Sequence, residues 1–205
     1  AGPRPTPPAI EGLRIATLNA GNFFLTGNSG APVCGPNQDL ACRGWDTSQP
    51  DEFTRQRTKL LAALGGLDAD IIGVTEVENT AGVSPLADLV TDLPGFSFID
   101  TGVLGTDVIR NGLLYRSAEV TPVGVATTLD LPVGSRPSLA QTFRDSQGEG
   151  STVVVNHVRS KGSPCSGDPD VGDGQGECNL TRTAAARAVI DWLATDPTGS
   201  GDPDV

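Results

Sequence analysis

The chain has 205 residues, a net charge of −11, 26 glycines, 16 prolines and only 4% aromatic residues. That length supports one sizeable core without requiring a second domain, and the composition suits short elements joined by many turns, a loop-rich α/β domain. The charge excludes a broad, charge-driven grip on nucleic acid or an anionic membrane, so a phosphate substrate would have to be attracted by a metal and local arginines.

Residues 1–10, AGPRPTPPAI, read as a proline-rich leader or linker. Leu13 to Leu18 alternates as a strand, and residues 27–50 form a long loop containing Cys34 and Cys42. A helix is expected from Asp51, with Phe53, Leu60, Leu61 and Leu64 on one face and Gly65 with Gly66 at its end. DADIIGVT is a short buried strand, and Ser84 followed by Pro85 starts a second helix carrying Leu86, Leu89 and Val90. Strands are predicted at 96–100, 108–115, 121–127, 138–143 and 151–158, and a last helix at 181–194 capped by Asn179. No apolar run is long enough to span a bilayer. This order suits a layered sandwich, helices covering the outer faces of two sheets.

The four cysteines fall into two close pairs, Cys34 with Cys42 and Cys165 with Cys178. Neither pair has CxxC spacing and the chain has one histidine, so disulfides in an oxidising compartment are expected rather than a zinc site. Three pairings are possible; the local ones each close a Gly/Pro/Asp-rich loop and are favoured. Together with the opening AGPRPTPP and the lack of methionine, this reads as the mature part of a secreted protein.

Three strand-like runs end on polar residues suited to metal-phosphate chemistry: Asn19 after LRIATL, Glu76 after DIIGVT, and Asn156 with His157, the only histidine, after STVVV. Strand exits are where polar side chains leave the core and meet. Period-two counting groups Ile15, Thr17 and Asn19, then Ile72, Val74 and Glu76, then Val153, Val155 and His157, each on one face. Glu78 falls on the same face as Glu76 and competes with it. The loop SGDPDVGDGQGEC crowds Asp168, Asp170, Asp173 and Glu177 without the spacing of an EF-hand, which favours an acidic loop over a calcium site. Asn179, Leu180 and Thr181 form an acceptor sequon that the capping role already explains.

RIATLNAGNFF, DADIIGVTEVEN, RPSLAQTF and VVVNHVRSKG, in that order, resemble the endonuclease/exonuclease/phosphatase superfamily that includes deoxyribonuclease I. CRGWD, DEFTRQRTKLLAAL, GTDVIRNGLLYRS and DGQGECNLTRTAAARAVIDWLA are similar to segments of the secreted bacterial ExeM/NucH-type nucleases. The resemblance implies an α/β four-layer sandwich, two mixed β-sheets flanked by helices, over residues 11–205. It implies that Glu76 is the principal carboxylate ligand of a divalent metal, Mg²⁺ first and Mn²⁺ or Ca²⁺ as alternatives, with Asn19 in the same pocket. His157 would contact the scissile phosphate and protonate the leaving oxygen, with Asp107 orienting its imidazole. Arg136 would grip a substrate phosphate, and Arg159 and Lys161 would add backbone contacts.

The family continues beyond its last matching helix into a strand with a Gly-Asp-x-Asn motif and later an Asp-His pair, whereas this sequence ends at GSGDPDV. The resemblance therefore implies the N-terminal portion of the domain, its C-terminal portion supplied by a second polypeptide or a cleaved fragment. The expected function is secreted, metal-dependent hydrolysis of DNA or RNA. A secreted phospholipid phosphodiesterase and a non-catalytic binding module are the alternatives.

Overall fold

The computed structural model describes residues 12–132 and 134–201, so the proline-rich segment 1–10 lies outside the described residues. The elements in order are β1 (Ile15–Phe23), α1 (Pro50–Gly66), β2 (Ile71–Glu78), α2 (Pro85–Val90), β3 (Phe96–Phe98), β4 (Ile109–Arg116), β5 (Val120–Leu129), β6 (Ser138–Asp145), β7 (Gly150–Val155) and α3 (Asn179–Leu193). One mixed sheet has the order β1-β2-β4-β3, with β1 parallel to β2 and the other pairs antiparallel. The second sheet, β5-β6-β7, is antiparallel.

Two apolar layers follow from the alternation along the central strands. Ile72, Val74 and Leu114 face outward from the first sheet and pack against Leu60 and Leu64 of α1 and Leu86 and Leu89 of α2. Ile71 and Leu113 face the other way and meet Leu139, Phe143, Val153 and Val155 of the second sheet. Gly73 lies on this inner face, where an added Cβ would come within 2.9 Å of Val155, so the close approach of β7 requires glycine there. Asn111 of β4 ties the sheets together by donating to the carbonyls of Pro137 and Val155 (2.8 and 3.2 Å). On the outer face of the second sheet, Thr142 shares hydroxyl hydrogen bonds with Thr152 and with Thr198 beyond α3.

Both local disulfides form, Cys34 to Cys42 and Cys165 to Cys178. The first is buried with Phe24, Val108 and Ile109 in a small third core that anchors the long loop to the end of β4. Trp45 continues the anchorage by packing on Phe53 of α1, ring centroids 5.6 Å apart.

Ser84 and Pro85 start α2 as expected, with Ser84 in the N-cap position, though its side chain makes no cap hydrogen bond. The expected cap of the last helix is corrected. Helix α3 begins at Asn179, with Cys178 in the N-cap position, and Asn179 makes no side-chain cap. The cap comes instead from Asp168, thirteen residues before Thr181: its carboxylate accepts the N–H groups of Leu180 (3.1 Å) and Thr181 (2.8 Å) and the Thr181 hydroxyl (2.9 Å). An acid at a helix N-terminus satisfies donors that the helix cannot, and the disulfide at Cys178 brings it there. The acidic loop thereby has a structural use, and among the described residues no group of three or more His, Cys, Asp or Glu side chains could hold a metal ion.

Candidate active site

The site forms where Asn19, inside β1, and Glu76, inside β2, meet His157, which lies two residues past the end of β7, so two of the three expected strand exits are positions within strands. Its centre is Glu76, whose carboxylate Oε1 accepts a hydrogen bond from Asn19 Nδ2 at 2.8 Å and lies 3.5 Å from His157 Nε2. Strand periodicity does not produce this meeting. Ile72 and Val74, expected on the face of Glu76, point to the helices, whereas Ile15 and Thr17, on the face of Asn19, border a groove with Val153 and Val155. A β-bulge reconciles the two. Between the pairs Val74–Gly112 and Val77–Arg110, Thr75 and Glu76 together oppose the single residue Asn111. Glu76 takes a left-handed backbone conformation (φ 60°), a strain of about 1–2 kcal/mol for a non-glycine residue, and this turns its side chain toward Asn19 and His157.

Glu78 is no competitor. It is fully buried, and its carboxylate accepts the backbone N–H groups of Leu25 (2.8 Å) and Thr26 (3.0 Å), fixing the chain as it leaves β1. Asn19 is oriented from both ends: its amide nitrogen is donated to Glu76, and its oxygen accepts the N–H of Gly21 at 2.8 Å. Both ends of the side chain are held, and its amide steadies the Glu76 carboxylate.

His157 is mostly buried, with Nε2 toward Glu76 and Nδ1 buried without a partner. Burial and the nearby Arg136 cation hold its pKa below the ordinary imidazole range, outweighing Glu76 and Asp107, so the ring is neutral at neutral pH. Asp107, expected to orient that ring, directs both oxygens at arginines: Arg136 Nη2 at 2.8 Å and Arg43 Nη2 at 3.3 Å. The carboxylate nearest the imidazole is Glu76. Arg136 is further held by its backbone N–H, which donates to the carbonyl of His157 (3.0 Å). Asn156, next to His157, accepts the Ser138 hydroxyl at 2.5 Å and closes the end of β7 onto β6.

Arg159 packs beside Gly134 and donates to the carbonyl of Pro164 (3.2 Å). Lys161 is exposed, its carbonyl accepting the N–H of Glu177, and it makes no side-chain contact with the site. Sequence reasoning missed two residues. Arg43 belongs to the cystine loop, whose irregular chain carries no periodic signal. Asn79, buried, donates to the carbonyls of Leu104 (2.7 Å) and Asp107 (2.8 Å) and accepts the Leu104 N–H (2.9 Å), and so holds the loop that carries Asp107.

With this geometry, known structures supply the fold. A protein of the endonuclease/exonuclease/phosphatase family from Bacteroides thetaiotaomicron superposes with a TM-score of 0.52 at 14% identity, over 89% of this chain and 58% of its own. This chain has that fold. It spans under two thirds of the neighbour's length. A functionally unknown conserved protein from Enterococcus faecalis aligns less well (TM-score 0.47, 14% identity, 71% of this chain and 56% of that one), as does the 2′,3′-cyclic phosphatase ANGEL2 (0.43, 11%, 52% and 32%). No family model and no curated protein matches the sequence.

The donor set at Glu76 fits a hard divalent cation. A lone carboxylate, steadied by an amide and left partly accessible, suits Mg²⁺, which is usually bound through one or two carboxylates and keeps waters and phosphate oxygens in its other positions. The same set does not suit zinc, which takes three or four protein ligands rich in His and Cys.

Proposed function

We propose that the protein carrying this chain is a secreted, metal-dependent phosphodiesterase of the endonuclease/exonuclease/phosphatase superfamily that hydrolyses nucleic acid, DNA first and RNA second. The convergence of Glu76, Asn19 and His157 through a strained bulge supports this reading, because strained backbone positions cluster at functional sites and this one aims a carboxylate at an amide and an imidazole. Glu76 would hold Mg²⁺ or Mn²⁺, and the bound cation would supply charge stabilisation to a phosphoryl oxygen. Asn19 keeps the carboxylate in place.

His157 faces the same point with Nε2 and can exchange a proton with a leaving oxygen or donate to a phosphate oxygen. Arg136 presents a planar fork for phosphate, restrained by Asp107. The two disulfides fit an oxidising, extracellular setting.

The test is digestion of plasmid DNA by the full-length protein with and without chelator, beside RNA and sphingomyelin vesicles. Chelator-sensitive nicking of DNA is expected. Hydrolysis of the lipid alone would move the assignment to a phospholipid phosphodiesterase, and turnover of none of these would leave a binding module.

A further inference from the structure

We infer that Arg43 is a second phosphate-binding arginine, and that the cavity it shares with Arg136 receives the phosphodiester next to the scissile one, selecting polynucleotide over an isolated diester. The inference rests on the phosphodiesterase reading above. The cavity, about 610 Å³, is lined by Leu40 and Arg43 of the cystine loop, by Asp107, and by Asp130, Leu131 and Arg136, and it adjoins His157 through the Arg136 N–H, which donates to the His157 carbonyl. Its size is that of a site for one small ligand unit.

The two guanidinium groups converge on Asp107 from opposite segments of chain. Arg136 is nearly enclosed, its Nε buried without a partner. Arg43 is half-exposed, and among the described residues its guanidinium forms an ion pair with Asp107 alone. Most of its donors are therefore unspent. An exposed ion pair of 3.3 Å contributes little to stability, so holding Asp107 is a poor reason for an arginine here.

The backbone beneath Arg43 is fixed. The preceding Cys42 is buried in its disulfide with Cys34, the Gly35 N–H donates to Thr80 Oγ1 (3.1 Å), and Trp45 packs on Phe53. A cation on so constrained a loop is pre-organised for a ligand.

The lining also states what the ligand is. Among the described residues no aromatic side chain borders the cavity, so none there stacks a base. Two arginine forks match phosphate oxygens, while the carboxylates of Asp107 and Asp130 balance their charge. Such a balance tolerates a monoanionic diester better than a dianionic terminal phosphate. The phosphate of a continuous strand fits; a free phosphomonoester does not.

The experiment uses the full-length protein, Arg43→Ala and Arg43→Lys. Steady-state constants are measured on a short DNA oligonucleotide and on bis(p-nitrophenyl) phosphate, and metal-free binding of a labelled oligonucleotide is followed by fluorescence anisotropy. For Arg43→Ala we expect KM on the oligonucleotide and the anisotropy Kd each to rise about tenfold, the salt slope of binding to fall by about one, and kcat to hold. Kinetics on the small diester should be unchanged, and Arg43→Lys should recover part of the loss. Equal losses on both substrates would make Arg43 a positioning residue acting through Asp107 and overturn the inference. Unchanged oligonucleotide constants would overturn it too. If the wild type hydrolyses neither substrate, the phosphodiesterase reading fails; the anisotropy comparison still judges Arg43, since equal binding by wild type and variant, or none by either, removes the subsite.

Discussion

At residue scale the site depends on one strained backbone position and one desolvated imidazole. Glu76 adopts φ 60°, and His157 loses part of its hydration between Glu76 and Arg136. Removing the imidazole should lower phosphodiester turnover by about 10²–10⁴-fold, the usual range for a positioned acid or base, without changing the melting temperature much. His157→Ala, assayed against plasmid DNA beside a thermal melt, checks this; undiminished turnover would take the ring out of the reaction. Asn19, Glu76, Asn156 and His157 were legible in the sequence because each follows an apolar run, although Asn19 and Glu76 lie inside β1 and β2. The geometry that joins them was not, since counting by twos places Glu76 with Ile72 and Val74, on the helix-facing side, and nothing in a glutamate signals that it will take a left-handed conformation. Glu78, two residues on, looked equivalent; it is consumed by the backbone of Leu25 and Thr26, a contact across 52 and 53 residues that no local pattern encodes.

At element scale, alternation and turn residues place the seven strands and three helices of the described residues, because each carries a buried face or a proline start, though β1 runs on to Phe23, five residues past its expected end at Leu18. Caps were less legible. Asp168 caps α3 from outside the helix, brought there by the Cys165–Cys178 disulfide. Burial alone would raise its pKa, but hydrogen bonds from the Thr181 and Leu180 N–H groups and the Thr181 hydroxyl, with the nearby Arg182 cation, hold it below the ordinary aspartate range. A carboxylate with a depressed folded-state pKa contributes stability that is present above its unfolded pKa, about 3.9, and is lost as pH falls through the lower folded value. Asp168→Asn should therefore melt lower than the wild type at neutral pH, with the gap narrowing as the pH drops below about 4. Thermal melts across pH test it, and a gap independent of pH would assign the loss to packing. The same reasoning explains Arg43: a cystine-closed loop has no period to read, and its side chain meets Asp107 only through tertiary closure.

At the scale of the whole molecule, a chain of net charge −11 must bind a polyanion through a small basic site. In the proposed function Arg43 and Arg136 would supply it, and both pair with Asp107. Oligonucleotide binding should therefore depend only weakly on salt, with a slope of a few phosphate contacts at about 0.7–0.9 each, far shallower than for a protein that coats itself in nucleic acid. Anisotropy titrations between low and moderate salt measure that slope, and a steep one would reveal a basic surface other than this site. The central claim is that a divalent cation sits at Glu76 beside His157. His157 is the only histidine of this sequence, and its ring protons, assigned by their loss in His157→Ala, report on the site in a proton NMR spectrum. Titration with paramagnetic Mn²⁺ should broaden those signals in the wild type at concentrations that leave them sharp in Glu76→Gln. Signals indifferent to Mn²⁺ in the wild type, or broadened equally in both proteins, would contradict the account.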